Sequence, residues 1–298
     1  MLMLCCWCLL AAMACIAAAG PAMEGVPWTY AEQQLWPLRW PACGGPRQSP
    51  TRLDAQLLQL GSRPRLSFAQ RLHAGRVHAT NTGHTLQLRL EAGGAGRTAP
   101  LVTLSAEGAP LSGTYRLEQL HFHWGNASGR AGSEHQLGSR LADAEAHFVF
   151  FGSQFANGSA AARQSDGLAV LAVLLEGRGA AGPDTLRWPP LGLQGRLAAL
   201  AAVGSRLTVA ADLRPLAALL RRAVRSVLAY GGSLTTPPCS PVVRWLVALR
   251  PAVVPRELLR ELSSSLYAAG PGRQLLHNNR RWLQARHHRL VVQHVSFD

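Results

Sequence analysis

The alternation of apolar and polar residues predicts β-strands along most of the chain. In TLQLRL, residues 85–90, Leu86, Leu88 and Leu90 fall on one face, as in a half-buried strand. LAVLAVLL, residues 168–175, is apolar throughout and predicts a central strand buried on both faces. Three further stretches have strand character: LEQLHFHW at 117–124, HFVFF at 147–151 and VVRWLVAL at 242–249.

Helical patterns are few. VPRELLRELSSSL, residues 254–266, places Leu258, Leu259 and Leu262 on one stripe, and residues 213–224 predict a second, short helix. No linker, repeat or low-complexity run interrupts residues 27–298. The predicted fold is therefore α+β: a single domain around a large, mainly antiparallel twisted β-sheet with a few short peripheral helices.

Residues 1–20 are apolar and end in small residues, which is typical of a secretory signal peptide cut near Ala19 or Gly20. A membrane anchor is the alternative. No later run of apolar residues is long enough to cross a membrane, and VVQHVSFD at the end carries no lipid-anchor signal. We therefore expect a secreted protein with no transmembrane segment once the signal is removed.

Removal of that segment leaves two cysteines, Cys43 and Cys239, which in an exported protein predict one disulfide; two buried thiols are the alternative. Asn126 and Asn157 begin glycosylation sequons.

The formal net charge is +14, which favours anionic neighbours such as glycans, lipid headgroups or nucleic acid. Because the arginines are scattered and no nucleic-acid motif accompanies them, we expect a solvated basic surface and no nucleic-acid partner.

The stretch HFHW places His121 and His123 on one face of a strand, with Phe122 on the other. Such a pair alone is more typical of an ordinary strand than of a metal site. In AEAHFVF, Glu145, His147 and Val149 share a face. If the two strands are antiparallel neighbours, three imidazoles meet and form a zinc site with one open coordination position, which favours catalysis over a structural role.

Four motifs then resemble those of the α-class carbonic anhydrases: LHFHWG, GSEH at 132–135, AEAHFVF, and GSLTTPPC at 232–239. CGGPRQSP at 43–50, NTGH at 81–84 and GLAVLAVLLE at 167–176 match the same family in the same order. The extracellular, disulfide-bearing members are the most similar. The resemblance covers residues 27–298, which we predict to form one α-carbonic anhydrase domain.

The resemblance implies reversible hydration of carbon dioxide to bicarbonate and a proton. It assigns Zn²⁺ to His121, His123 and His147, with a zinc-bound hydroxide as nucleophile. Thr235 would accept a hydrogen bond from the hydroxide and donate one to Glu134, which orients the nucleophile without removing its proton. Gln119 and Glu145 would accept the outer N–H groups of zinc ligands.

The resemblance also implies a proton shuttle, a substrate pocket and a cross-link. His84 matches the shuttle histidine, while Thr82 stands where many members have asparagine, which puts the hold on His84 in doubt. Cys43 and Cys239 match the disulfide, and Ser49-Pro50 and Pro237-Pro238 match cis bonds. The residues that match the carbon dioxide and bicarbonate pocket are Val149, Val170, Leu234, Thr236, Val243 and Trp245.

One segment departs from the family pattern: NNRRWLQARHHR, residues 278–289, lacks a proline and aligns only after an insertion. We expect altered loops there and no contact with a zinc ligand. Two alternatives to an enzyme remain: a catalytically silent binding or adhesion domain of the same family, and a basic glycan-binding protein with structural zinc. The intact histidines, Glu134 and Thr235 favour the enzyme; partner proteins are not indicated by the sequence.

Overall fold

The computed structural model describes most of the chain beyond the predicted signal peptide. The described residues are 27–54, 59–60, 64–94, 100–107, 111–126, 131–177, 186–187, 189, 191–270 and 273–295. Residues 1–20, predicted as a signal peptide, lie outside this set, so that prediction and the predicted domain boundaries stay predictions.

Strands dominate the described chain. They are β1 (Arg52–Leu53), β2 (Gln59–Leu60), β3 (Arg65–Phe68), β4 (Gly75–Asn81), β5 (Leu86–Glu91), β6 (Val102–Ala106), β7 (Gly113–Trp124), β8 (Gln136–Leu137), β9 (Ala144–Gly152), β10 (Leu168–Gly177), β11 (Leu186–Arg187), β12 (Arg206–Ala211), β13 (Ser226–Gly232), β14 (Val243–Ala248), β15 (Ala252–Val254) and β16 (Val292–Val295). The five stretches predicted from the sequence correspond to β5, β7, β9, β10 and β14.

The helices are short. They are α1 (Trp36–Arg39), α2 (Gly158–Ala161), α3 (Arg214–Ala223) and α4 (Arg256–Ser265), with 3₁₀ turns at Tyr30–Leu35, Pro41–Gly44, Leu72–Ala74 and Leu197–Leu200. Both predicted helices are confirmed, as α3 and α4. Pro255 precedes the first turn of α4 as its N-cap, where its missing N–H costs no helical hydrogen bond. Among these helices none combines the length and apolar character needed to cross a bilayer.

Within the described residues, fourteen strands form one sheet, and β1 and β8 form a small parallel pair. The main path runs β12-β4-β5-β7-β9-β10-β14-β13-β16-β2. Antiparallel pairs outnumber parallel ones, which join β10 to β14 and β15, β11 to β15, and β16 to β2. The predicted fold class is confirmed.

The central strands β7, β9 and β10 carry an apolar core on one face of the sheet. Phe122, Phe148 and Leu171 belong to the larger core cluster, which packs under the helices. A second apolar cluster, containing Val170 and Trp245, lies on the opposite face. Strand β10 is buried along nearly its whole length, as predicted, because both faces are covered.

Candidate metal centre

The three histidines predicted from the sequence meet on the neighbouring strands β7 and β9. His121 lies directly opposite His147 in the antiparallel register, and His123 follows on the same face. The ring centroids are separated by 5.1, 5.1 and 4.5 Å. Leu120 and Phe122 alternate with them and are buried on the other face. This alternation fixes the register, because a slip by one residue would exchange the two faces.

Each ring is held by a hydrogen bond on its outer nitrogen. The bonds join Nδ1 of His121 to Oε1 of Gln119 (2.9 Å), Nδ1 of His123 to the main-chain oxygen of Asn279 (2.6 Å) and Nε2 of His147 to Oε1 of Glu145 (2.7 Å). All three partners are oxygen acceptors, so each outer nitrogen donates. In a neutral imidazole the inner nitrogen then offers a lone pair.

Burial keeps the three imidazoles neutral. Loss of hydration lowers the pKa of His123 from 6.5 to about 4. It also lowers the pKa of His147 and, helped by the other two rings, takes the pKa of His121 well below its usual range. Near neutral pH the site therefore contains three inward-facing lone pairs.

The inner nitrogens converge on one point. Nε2 of His123 and Nδ1 of His147 are 3.1 Å apart, and the ligand atoms of all three rings lie within 4.8 Å of one another. Neither nitrogen has a proton to share, so the approach is repulsive unless a cation lies between them. Tetrahedral zinc, with bonds of ~2.0–2.1 Å to histidine, separates its ligand atoms by about 3.3 Å. The donor set fits that ion.

A second group of potential ligands is His135, Glu145 and His147, but it is already satisfied by hydrogen bonds. Oε1 of Glu145 accepts from Nδ1 of His135 at 2.6 Å and from His147 at 2.7 Å. Oε2 accepts from the main-chain N–H groups of Glu134 and His135 at 2.8 and 2.7 Å. Burial favours a raised pKa for Glu145, but these donors outweigh it and hold the pKa well below its usual range. Glu145 is thus an ionised support for His147.

Glu134 lies beside the histidines and is fully buried. Its Oε1 accepts from the main-chain N–H of Arg281 at 2.8 Å and lies 3.4 Å from Nδ1 of His123. Burial raises the pKa of Glu134 to about 7, and the hydroxyl of Thr235 is among the groups that oppose this rise. Oε2 has no partner that meets ordinary hydrogen-bond geometry. The structure therefore brings Glu134 and Thr235 together and leaves one carboxylate oxygen with unused bonding capacity.

The loop that carries Thr235 is fixed at both ends. Leu234 N–H donates to the carbonyl of Ser240 at 3.0 Å, and Cys239 N–H donates to the carbonyl of Thr236 at 2.9 Å. Cys43 and Cys239 form the predicted disulfide, with an S–S distance of 2.09 Å. The peptide bonds Ser49-Pro50 and Pro237-Pro238 are cis, as the resemblance implied.

His84 lies in the turn before β5 and stacks on Trp28. The ring centroids are 3.8 Å apart and the planes differ by 8°. Partial burial lowers the pKa of His84. Oγ1 of Thr82 accepts from the N–H groups of His84 and Thr85 at 3.3 and 3.0 Å, so threonine at position 82 holds the turn locally. Threonine at this position thus bonds the backbone of the turn, and its effect on the position of the His84 ring stays a prediction.

The residues predicted to line the substrate pocket lie together on the histidine-bearing side of the sheet. Val149, Val170, Leu234, Val243 and Trp245 belong to one apolar cluster. Val170 faces Val149 on one neighbouring strand and Trp245 on the other. Trp245 also lies against His147, with ring centroids 4.9 Å apart. Thr236 is half-buried on the adjoining loop.

The expectation that residues 278–289 make no contact with a ligand is wrong. Asn279 accepts the hydrogen bond of His123, and Arg281 donates to Glu134. Both contacts use main-chain atoms, which every residue possesses, so residue identity gave no signal. His135 was also missed, although its place directly after Glu134 could have suggested it.

The sequon residues Asn126 and Asn157 are exposed, and Asn157 caps α2 by accepting from the N–H of Ala160 at 2.9 Å.

Fold and site together define a class: a single-domain α+β protein whose sheet carries a three-histidine centre able to hold a metal ion. The sequence profile of eukaryotic-type carbonic anhydrase matches residues 31–295. Human carbonic anhydrase 12 is 33% identical over 284 residues, which are 92% of this chain and 75% of the relative. Human carbonic anhydrase 6 is 32% identical over 282 residues, 91% and 84% of the two chains. Mouse carbonic anhydrase 15 is 34% identical over 260 residues, 82% and 75%. The chain belongs to the eukaryotic-type carbonic anhydrase family.

Proposed function

We propose that this protein is an active, zinc-dependent carbonic anhydrase that interconverts carbon dioxide and bicarbonate. The observation that carries the proposal is the convergence of three lone pairs next to the Glu134–Thr235 pair. A binding member of the family has no need for an orienting pair beside its metal site. In this chain all five residues are present and in contact range.

His121, His123 and His147 are the proposed zinc ligands. When bound, zinc supplies the Lewis acidity that makes a water molecule nucleophilic near neutral pH. The chain contributes the geometry: Gln119, the carbonyl of Asn279 and Glu145 each hold one ring by its outer nitrogen. Pre-set rings need no reorganisation when the metal enters, which favours tight binding.

Glu134 and Thr235 are proposed to orient the nucleophile. An ionised Glu134 can only accept, so the Thr235 hydroxyl must donate its hydrogen bond to Glu134, and its oxygen is left to accept a hydrogen bond from the nucleophile. This arrangement directs an oxygen lone pair toward the substrate carbon. The raised pKa of Glu134, about 7, describes the protein without a cation nearby. A cation within a few ångströms favours the carboxylate and lowers that pKa.

The apolar cluster of Val149, Val170 and Trp245 is the proposed resting place of carbon dioxide. Carbon dioxide has no charge and no donor, so it requires no polar partner in such a pocket. Leu234 and Val243 extend the wall, and Thr236 is proposed to contact bicarbonate. His84 is proposed to carry the released proton to solvent, since imidazole titrates near neutral pH.

We further propose an extracellular location. The disulfide between Cys43 and Cys239 is typical of an oxidising compartment. The predicted signal peptide and the exposed sequon residues Asn126 and Asn157 agree with export. Retention of the disulfide in the protein purified from culture medium, with a mass shift on removal of N-linked glycans, would test location and sequon use together.

Stopped-flow hydration of carbon dioxide by the zinc-loaded protein tests the activity. We expect rates well above the uncatalysed reaction, abolished by an aromatic sulfonamide and by removal of zinc, and restored when zinc is returned. One zinc per chain without measurable hydration would instead identify a silent binding member. Salt-sensitive retention on a polyanion column that is unchanged in His147→Ala, again without hydration, would favour the glycan-binding alternative.

A further inference from the structure

The main-chain ladder between β5 and β7 ends next to the first histidine. The last ladder pair is Gln87 with His121. Beyond it, the N–H and C=O of Phe122 are bonded to a side chain: Thr85 Oγ1 accepts from Phe122 N–H at 3.1 Å and donates to Phe122 C=O at 2.6 Å. The turn that carries His84 is therefore docked on the residue between His121 and His123.

Asn279 completes this junction and is fully buried. Its Nδ2 group donates to the carbonyls of His84 and Phe122, both at 3.0 Å, and its Oδ1 accepts from the N–H of Trp124 at 2.8 Å. Its main-chain oxygen accepts from Nδ1 of His123 at 2.6 Å. One residue thus contacts the turn of His84, the backbone on both sides of His123, and the ring of His123.

The side chain of Asn279 anchors its own carbonyl to β7 and to the His84 turn. Three of its four hydrogen bonds are made by the amide group, and they use both donors and the acceptor. Asn278, the preceding residue, has a left-handed backbone with φ of 51°, so the chain turns sharply at this point. Without the amide bonds, the carbonyl that holds His123 loses its anchors on β7 and on the His84 turn.

We propose that the Asn279 side chain is a positioning group that sets the orientation of His123 and the place of the His84 turn together. The inference rests on the proposed zinc ligands. The Asn279 side chain would influence metal affinity indirectly, because it positions the carbonyl that accepts the hydrogen bond of His123. A residue with a purely structural role would lower stability without changing that affinity.

Asn81 provides a matched control. It is also fully buried, its Nδ2 donates to the carbonyls of Ala201 and Tyr267 at 3.0 and 3.1 Å, and its Oδ1 accepts from Gly83 N–H at 2.8 Å. Like Asn279, the Asn81 amide therefore donates to two carbonyls and accepts from one N–H, although its partners are different residues. It also bonds the turn of His84, through Gly83. These three bonds do not touch β7 or any of the three histidines.

The experiment compares Asn279→Asp with Asn81→Asp. Each change replaces two amide donors by a carboxylate oxygen that faces two carbonyls, so both variants should be destabilised in urea. Zinc affinity is measured by competition with a chromogenic chelator, in buffer without urea and at a pH where both variants are folded. We expect Asn279→Asp to bind zinc about tenfold more weakly than the parent, and Asn81→Asp to stay within about twofold.

Equal affinity for the parent and Asn279→Asp would overturn the inference, as would equal weakening in both variants. Should Asn279→Asp fail to fold, Asn279→Ser replaces it; we expect weaker zinc binding in the same direction, and unchanged affinity would again overturn the inference. A parent that binds no zinc would contradict the proposed function itself, whereas a parent that binds zinc with no effect at position 279 would contradict this inference alone.

Discussion

The two faces of the β7–β9 strand pair present opposite solutions to burial. On one face, His121, His123 and His147 are surrounded by specific hydrogen-bond partners. On the other, Leu120, Phe122 and Phe148 are packed in a continuous apolar core with at most 4% exposure. The same two strands supply both faces, since alternate residues point in opposite directions.

The difference shows what each face demands of the sequence. Apolar packing tolerates exchange among side chains of similar volume, because dispersion and burial have no direction. A buried polar face has no such tolerance, since every donor and acceptor without its partner is costly. Glu145, which accepts from His135, His147 and two main-chain N–H groups, illustrates this. Residue identity on the polar face therefore carries functional information, whereas the apolar face carries information about fold.

The largest expected effect comes from adjacent residues on opposite faces. His147→Ala removes a proposed ligand, so we expect zinc and hydration activity to be lost while the fold persists. Phe148→Ala should retain one zinc per chain and its activity when folded, but lose about 3–5 kcal/mol of unfolding free energy. Elemental analysis and urea unfolding measure the two outcomes. Stoichiometric zinc in His147→Ala would contradict the ligand assignment.

Thr235→Val tests whether the polar face orients the nucleophile in addition to binding zinc. The change keeps shape but removes the hydroxyl beside Glu134, so we expect about 10²-fold slower hydration, the cost of a misplaced reacting group. Zinc content should match the parent, because Thr235 is not a proposed ligand. Stopped-flow rates measured on metal-quantified samples check this. An unchanged hydration rate in Thr235→Val would contradict the proposed orienting role of Thr235.

The pH dependence of the metal-free protein tests the charges on the polar face. Burial lowers the pKa of His123 from 6.5 to about 4, so the unfolded chain binds the extra proton and stability falls as the pH drops below 6.5. Burial raises the pKa of Glu134 from 4.5 to about 7, so its contribution is present below pH 4.5 and is lost as the pH rises through 7. The two effects oppose each other.

Glu134→Gln removes that opposition. Between pH 6.5 and 4.5 the metal-free variant should lose more unfolding free energy than the parent, by a difference on the order of 2 kcal/mol for shifts of this size. Urea unfolding in chelator across this range measures it, with Glu32→Gln, at a side chain that is 45% exposed, as control. Parallel curves for the parent and Glu134→Gln would mean that Glu134 does not titrate there.

The smallest effect is expected at the edge of the polar face. His84→Ala should slow hydration several-fold in weak buffer, below the ~10² typical of a positioned acid–base group, because water can carry part of the proton flux. Added imidazole should restore the rate. His78→Ala, at a histidine with its side chain 41% exposed, is the control and should respond to neither buffer nor imidazole. A buffer-independent rate in His84→Ala would assign the shuttle to another group.

Alternation allowed the central strands and all three histidines to be predicted from the sequence, because apolar partners such as Leu120 and Phe122 fix the register. The roles of Asn279 and Arg281 were not predictable in this way. Their contacts with His123 and Glu134 are made by main-chain atoms, and even the Asn279 side chain that we propose fixes one of these atoms does not mark in the sequence which distant residue that atom will meet. The stacking of His84 on Trp28 was likewise hidden, since it depends on how two loops approach in space.

The hydrogen bond between His123 and Asn279 joins residues 156 positions apart. A ribosome makes the chain from its amino end, so His121, His123 and His147 emerge long before Asn279 and Arg281 exist. During that interval the outer nitrogen of His123 lacks its acceptor, and Phe122 and Trp124 lack the hydrogen bonds that they later make with Asn279. The complete set of contacts around the three histidines can therefore form only near the end of synthesis. A chain arrested before residue 279 would contain all three histidines but would lack the main-chain acceptor of His123 and the main-chain donor to Glu134.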